Sequence, residues 1–337
     1  MSALTIQYQN GGVFLPALGL WLDPRERQTG PAKVFVSHAH TDHVAAHREV
    51  ILTAPTAQFM RTRLKGQRQE HVLPFGEPHV FGEGPVSYRL TLLPAGHILG
   101  SAMAFIEVEG QSLLYTGDFK LRRGLAAESC TPRHADLLVM ETTFGRPGYV
   151  FPPADAVMQE VIRFCREALE QQATPVLFSY SLGKSQELLC GLDGTGLPVM
   201  LHESAYKFAR IYEQFDQRFP AYKKLKPGLA HGHVLICPPQ ADRAGLLEQI
   251  GNVRTAIVSG WAVESSCRYR YRVDAAFPLS DHADFPGLIE MVKRVVPQKV
   301  FTLHGFAADF AQSVRELGFD AQALSEQEQF LLPLGKL

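Results

Sequence analysis

The chain has 337 residues, 46% of them hydrophobic and 20% charged, with a formal net charge of −1. These are the proportions of an ordinary globular protein, long enough for two domains or for one domain with a large insertion. They exclude a globally basic surface, so any nucleic-acid partner must be met by a local patch, with the acidic excess elsewhere. No apolar run reaches the roughly 18 residues of a membrane span. The opening stretch MSALTIQYQNGG lacks the charged and apolar regions of a signal peptide. Five scattered cysteines without a CxxC pair point to a reducing, cytoplasmic setting and away from a zinc–thiolate site.

In chain order, the first 145 residues read as short strands with turn signals: AKVFVS, VSYRLTLLPA, SAMAFIEVEG, QSLLYTGD and ADLLVMETT. A helix is predicted from Asp155 to Gln172, then a strand in TPVLFSYS and a helix opening after Gly183. Strands and helices then alternate through LPVMLHE, SAYKFARIYEQF, GHVLICPP, ADRAGLLEQI and RTAIVSG, an α/β style unlike the opening half. The end returns to a helix (FPGLIEMVKRVV), a strand (QKVFTLHG) and a helix (AADFAQSVRELG).

Chemistry concentrates in two blocks, Asp23 to Glu141 and His282 to His304. In VFVSHAHTDHV an apolar run leads directly into His38, His40, Asp42 and His43. So many imidazoles and carboxylates are costly beside a core unless they are paired or bind a metal. Imidazole and carboxylate without thiolate suit zinc, manganese or iron in a hydrolytic site. His38 and His40 stand two apart in a turn and can face one ion. Asp42 and His43 open what reads as a helix, DHVAAHREV, and can serve a second. LLPAGHILGS and LLYTGDFK repeat the strand–glycine–ligand pattern with His97 and Asp118. If one site draws on both blocks, the α/β region between them is an insertion, a topology tolerated because domain termini often lie close together.

These motifs carry a resemblance. Asp23 in LWLDP, HAHTDH, the His97 loop and TGD resemble motifs one to four of the metallo-β-lactamase fold. METTFG with Glu141, PLSDHADF with His282 and FTLHGF with His304 resemble motifs A, B and C of the β-CASP nucleases. Within that branch the chain is most similar to the bacterial ligase-associated DNA exonuclease family, through PAGHILGSA, ETTFGRPGY and FSYSLGKSQELL.

The resemblance implies an αββα metallo-β-lactamase sandwich over residues 1–171, a β-CASP insertion over 172–290 and completion of the first domain over 291–337. It implies two divalent ions, Zn2+ or Mn2+. His38, His40 and His97 would hold one, Asp42, His43 and His304 the other, and Asp118 would bridge them. Asp23 would orient a ligand histidine from behind. Asp42 also joins the catalytic set with Glu141 and His282, the last two as an acid pair that protonates a leaving 3′-oxygen. Two cations about 3.5–4 Å apart generate hydroxide near neutral pH and stabilise an in-line displacement. The implied activity is that of a DNA nuclease, acting exonucleolytically in repair on single strands or free ends, with a functional link to an ATP-dependent DNA ligase. The alternative is a ribonuclease of the RNase J type, favoured by histidine at motif C. A glyoxalase-type thioester hydrolase shares HxHxDH but has no need of the later motifs.

Two further stretches bear on substrate. RYRYR alternates with period two. On a strand it would set Arg268, Arg270 and Arg272 along one face, either as a phosphate track or as a solvated edge. SYSLGKSQ places Ser179, Ser181 and Lys184 around a helix start, where they could hold a terminal phosphate or merely cap the helix. Lys223, Lys224 and Lys226 read as a basic surface loop, and His231 and His233 as surface residues.

Overall fold

A computed structural model describes residues 4–82, 87–239 and 243–324, with the backbone of 329–330. The chain forms two compact units. One comprises residues 1–123, 127–148 and 282–337; the other comprises 124–126 and 149–281.

Strands and helices are numbered in chain order. In the first unit β1 (Ile6–Gln9), β2 (Gly12–Leu15), β3 (Leu20–Leu22), β4 (Lys33–Phe35), β5 (Glu49–Leu52) and β6 (Gln69–Val72) pair in that order, with β20 (Gln329–Phe330) beside β1. The second sheet runs β19 (Asp320–Ala323), β18 (Lys299–Leu303), β11 (Leu137–Glu141), β10 (Gln111–Tyr115), β9 (Ala102–Val108), β8 (Tyr88–Pro94), β7 (Pro78–Phe81). Alternation along the strands sends Val13, Leu15, Leu20, Leu22 and Phe35 from one sheet against Leu90, Ala104, Leu113, Val139 and Phe301 from the other. The opposite face of the second sheet buries Met103, Leu114, Leu138 and Val300. There they meet Leu288, Met291 and Val292 of α7 (Phe285–Val295) and Phe310 and Val314 of α8 (Ala307–Glu316). Each such fully buried side chain contributes about 1.5–3 kcal/mol of transfer free energy. Beyond the first sheet, α1 (Ala54–Arg63) buries Phe59 and Met60, and its N-cap Thr53 accepts from Thr56 N.

Parallel pairing aims the chemistry. β3 and β4 are parallel, as are β10, β11 and β18. β8 is antiparallel to β9, and β9 to β10, so β8 runs with β10. The C-terminal ends of β3, β4, β8, β10, β11 and β18 lead to Asp23, His38, His97, Asp118, Glu141 and His304 respectively.

The second unit is a parallel sheet, β14 (Tyr222–Lys224), β13 (Val199–Leu201), β15 (Val234–Cys237), β12 (Thr174–Phe178), β16 (Val253–Val258), β17 (Ala275–Phe277). One face packs on α2 (Ala154–Glu170), α3 (Lys184–Gly191) and α4 (Glu203–Glu213), through Val161, Leu188 and Ala209. The other packs on α5 (Arg243–Ile250) and α6 (Cys267–Tyr271), through Leu247 and Cys267. Both faces are covered, which explains the continuous apolar strands VLF and VLIC.

Three local expectations change. The units divide at 148/149 and 281/282, where sequence placed the insertion at 172–290. The apolar stripe of α2 is buried against Leu177 and Leu201 in the second unit, and α7 packs on the first unit's sheet. DHVAAHREV is not a helix. Residues 41–43 form one turn closed by His43 N to His40 O, and the chain then runs to β5. RYRYR is the helix α6, not a strand, because Cys267 and Tyr271, four residues apart, share a face packed on Phe178 and Ile257.

One buried group sets an acid limit on stability. His47 is 1% exposed; its Nδ1 accepts from Gln28 N at 3.1 Å, and its Nε2 has no partner among the described residues. Burial pushes its pKa down to about 4, against a smaller upward pull from Asp23. The unfolded chain therefore takes up this proton first. Stability is full above about pH 6.5, falls toward about pH 4 and then levels, a loss of at most about 3 kcal/mol. In denaturant midpoints measured against pH, His47→Gln is expected to flatten that slope by about one proton. An unchanged slope would place the acid sensitivity elsewhere.

Candidate metal centre

His38 is fully buried at the end of β4. Ser37 Oγ donates to Asp23 Oδ2 at 2.5 Å and lies 3.0 Å from His38 Nδ1. With its one proton spent on Asp23, that hydroxyl accepts from His38 Nδ1–H, which leaves the Nε2 lone pair facing inward. Nε2 lies 3.1 Å from His40 Nδ1, which in turn lies 3.0 Å from His97 Nε2. Asp118 Oδ2 stands 3.5 Å from His38 Nε2 and 3.8 Å from His97 Nε2. All four ligand atoms fall within 4.8 Å of one another.

Inward lone pairs at these separations repel unless a proton or a cation lies among them. Tetrahedral zinc with Zn–N of about 2.0–2.1 Å has ligand–ligand edges of about 3.3–3.4 Å, and three imidazoles with one carboxylate are its donor type. The residues present therefore fit a divalent ion. Backbone geometry secures the cluster: Gly96 and Gly117 both have positive φ. A Cβ on Gly96 would stand 2.4 Å from Lys120 O, and one on Gly117 would stand 2.5 Å from Ser37 Cβ. Ser101 Oγ accepts from His97 N at 3.1 Å.

The second donor set gathers less closely. His43 Nδ1 donates to Asp23 Oδ2 at 3.1 Å, while its Nε2 is 3.4 Å from Asp118 Oδ2 and 3.9 Å from Asp42 Oδ2. The Asp42 side chain is 59% exposed. His304, at φ +59°, has its ring 5.9 Å from that of His43, and Arg25 Nη2 lies 3.5 Å from its Nδ1. A guanidinium can only donate, so His304 Nδ1 presents its lone pair to Arg25.

Electrostatics follow from burial and from these neighbours. Burial holds His38 well below its ordinary pKa, helped by facing His43 and His97. Burial lowers His43 too, but the Asp118 and Asp23 carboxylates overturn this and raise it well above the usual value. Burial pushes Asp118 upward, yet His43 and His282 hold it well below the carboxylate range. Burial takes His304 down to about 4.

Beside the cluster, His282 Nδ1 donates to Glu141 Oε1 at 2.9 Å, and His282 Nε2 points to within 4.0 Å of Asp118 Oδ2. Glu141 is 1% exposed and also accepts from Phe119 N and Thr143 N, both at 3.1 Å. Its oxygens are thus satisfied, and the ring of His282 is aimed.

Sequence reasoning missed Ser37, Tyr115 and Arg25. Tyr115 Oη donates to Asp23 Oδ2 at 3.1 Å, so one carboxylate orders Ser37, His43 and Tyr115. Period-two alternation in QSLLY could have shown Tyr115 facing the sandwich; nothing local marks its partner.

The expected substrate residues lie in the second unit. Lys184 is 2% exposed, with Nζ 2.8 Å from Asp281 Oδ1. Ser179 Oγ pairs with Ser185 Oγ at 3.1 Å, and Ser181 Oγ with Ser204 Oγ at 2.7 Å. In α6 the three arginines do not share a face. Arg270 is tied to Glu264 at 2.6 Å, Arg268 lies over the Tyr269 ring, and Arg272 forms the left-handed C-cap.

Two family models match: "Metallo-beta-lactamase superfamily" over residues 25–156 and "Zn-dependent metallo-hydrolase RNA specificity domain" over 270–324. A probable DNA ligase of Opitutus terrae is 52% identical over 95% of this chain and 31% of its own length. The 5′ exonuclease Apollo of Gallus gallus is 26% identical over 88% of this chain and 64% of its own length. The chain thus spans less than two thirds of either relative. A crystal structure of a protein of unknown function from Enterococcus faecalis V583 aligns with TM-score 0.59 and 14% identity over 89% of this chain and 81% of that one, a likeness of fold. With its paired sheets, the histidine and aspartate cluster at their strand ends, and these matches, the chain carries a metallo-β-lactamase domain over residues 25–156.

Proposed function

We propose that the chain is a metal-dependent phosphodiesterase acting on DNA, an exonuclease of single strands or free ends in repair. The observation that carries this reading is the Glu141–His282 pair, whose Nε2 lies 4.0 Å from the Asp118 oxygen of the candidate metal cluster. A thioester hydrolase has no use for a second, carboxylate-held imidazole at that distance.

His38, His40 and His97 would hold one cation and Asp42, His43 and His304 a second, with Asp118 between. Zn2+ and Mn2+ both suit these donors. Such ions, when bound, polarise a phosphoryl oxygen and supply a nucleophile at neutral pH. The chain's own groups do the rest. Asp23 keeps His43 oriented through Nδ1. Glu141 accepts from His282 Nδ1–H, favouring the protonated ring, and Nε2–H is then placed to protonate a departing 3′-oxygen. Ser179, Ser181, Lys184, Arg268, Arg270 and Arg272 remain candidates for phosphate contact; Lys184 and Arg270 would first have to exchange Asp281 and Glu264 for substrate. Five free thiols suit a reducing, cytoplasmic setting. Among the described residues no helix is long and apolar enough to cross a membrane. The likeness to a probable DNA ligase supports a ligase-linked role.

The second reading, a β-CASP ribonuclease, is favoured by His304 at motif C and by the RNA specificity match over 270–324. End-labelled DNA and RNA of one sequence, each with Mn2+ or Zn2+, separate the two. The expected result is stepwise shortening of the DNA and slower loss of the RNA. Preferential RNA cleavage selects the second reading, and no cleavage of either sinks both.

A further inference from the structure

Arg25 lies two residues beyond Asp23, and neither its motif nor the metal chemistry accounts for it. Its side chain is exposed, yet it is built into place. Arg25 N donates to Asn10 O at 3.0 Å. Asn10 and Gly11, both at positive φ, close the β1–β2 hairpin, a two-residue turn of the kind Asn-Gly favours. The Arg25 stem lies against this turn so closely that a Cβ on Gly11 would stand 2.7 Å from Arg25 Cδ. On the next residue, a Cβ on Gly12 would stand 2.5 Å from Pro24 Cα. The turn thus has glycine where the segment carrying Arg25 crosses it, and the guanidinium is delivered to His304 at 3.5 Å.

Charge makes the placement notable. Several surface guanidinium groups are answered by acids, as Arg89 is by Glu107 at 3.0 Å and Arg146 by Asp309 at 2.5 Å. Among the described residues Arg25 has no carboxylate partner. Its guanidinium meets an imidazole nitrogen at the limit of hydrogen-bond length. A phosphate is a better partner for that fork, because it is anionic and can accept two parallel N–H bonds where one imidazole nitrogen accepts a single bond.

We propose that Arg25 is a substrate-binding residue that grips a backbone phosphate of the nucleic acid beside the metal cluster, exchanging His304 Nδ1 for phosphate oxygens as the strand enters. The proposal rests on the nuclease reading above. No covalent step is involved, so the effect belongs to binding and positioning.

The test compares Arg25→Ala, Arg25→Lys and Arg27→Ala, the last an exposed arginine two residues away that removes the same charge. Affinity for a fluorescent single-stranded DNA is measured by anisotropy in chelator, so that no turnover occurs, and metal content is measured separately on loaded protein. Arg25→Ala is expected to weaken binding about tenfold or more, Arg25→Lys to recover part of this, and Arg27→Ala to change it by no more than about twofold. Metal content should equal that of wild type in all three. Equal weakening by Arg25→Ala and Arg27→Ala overturns the proposal, since only diffuse charge would then be at work. So does loss of metal from Arg25→Ala, which would make Arg25 a support for His304. Wild-type protein that binds and cleaves neither DNA nor RNA overturns the nuclease reading itself, and this proposal with it. Wild-type protein that binds while Arg25→Ala binds equally well overturns this proposal alone.

Discussion

Asp118→Asn should leave a folded protein that binds little metal and has lost about three orders of magnitude or more of its phosphodiesterase rate. One oxygen, Asp118 Oδ2, stands within 4.0 Å of His38, His43, His97 and His282. It is the only anion so placed among the described donors of the tighter cluster. The amide keeps the size but not the charge, and the four imidazoles lose the one carboxylate they share. Metal content by mass spectrometry and thermal unfolding in chelator are the paired measurements. The chelated variant should unfold somewhat below wild type, because ionised Asp118 is a stabilising partner of His43 in the metal-free cluster. Asp23→Asn makes the graded comparison. It weakens the hold on His43 without removing a ligand, so a loss of about 10- to 100-fold in metal affinity or activity is expected. If Asp118→Asn retains full metal and activity, the centre has been assigned to the wrong residues.

His282→Ala should behave in the opposite way, with metal retained and turnover lost. General acid catalysis contributes typically about 10²–10⁴-fold, so kcat should fall by that order while metal stoichiometry matches wild type. The diagnostic is the pH profile. An acid must be protonated to act, so wild-type rate should decline on the alkaline side as His282 loses its proton, and this limb should vanish in His282→Ala. Glu141→Gln removes the carboxylate that accepts from Nδ1 at 2.9 Å. It should move the alkaline limb to lower pH, since only one of the two carboxylates beside the ring then favours its charged form. A substrate with a good leaving group, which needs no protonation, should be cleaved by His282→Ala at close to the wild-type rate. If both variants instead lose metal, His282 is a ligand and not an acid.

The candidate metal cluster was legible in the sequence because its signals are local. HAHTDH, GH and GD each follow a short apolar strand, and a glycine at the strand end permits the tight turn that exposes the next side chain. His38, His40, His97 and Asp118 could therefore be read in order, and the long stretch without ligands between Glu141 and His282 showed that another body of chain was inserted. Strand and helix positions in the second unit were readable for the same reason: Val234–Cys237 and the stripe of α2 carry their own periodicity.

What tertiary structure decided depends on partners far away in the chain. RYRYR has a period of two on paper, but five residues are too few to separate strand from helix. The burial of Cys267 and Tyr271 on one face chose the helix and dispersed the arginines. DHVAAHREV has helical spacing, yet His43 is held by Asp23, twenty residues earlier, and the chain must then extend into β5. The edge of the insertion moved to 148/149 because the apolar face of α2 is matched by Leu177 and Leu201 and not by the β-sandwich. The ordering of Asp23 by Ser37 and Tyr115, and the seating of Arg25 on an Asn-Gly turn, join segments whose residues carry no mark of each other. Hydrogen bonds and close packing between distant segments leave no period in a sequence, so only the folded chain could show them.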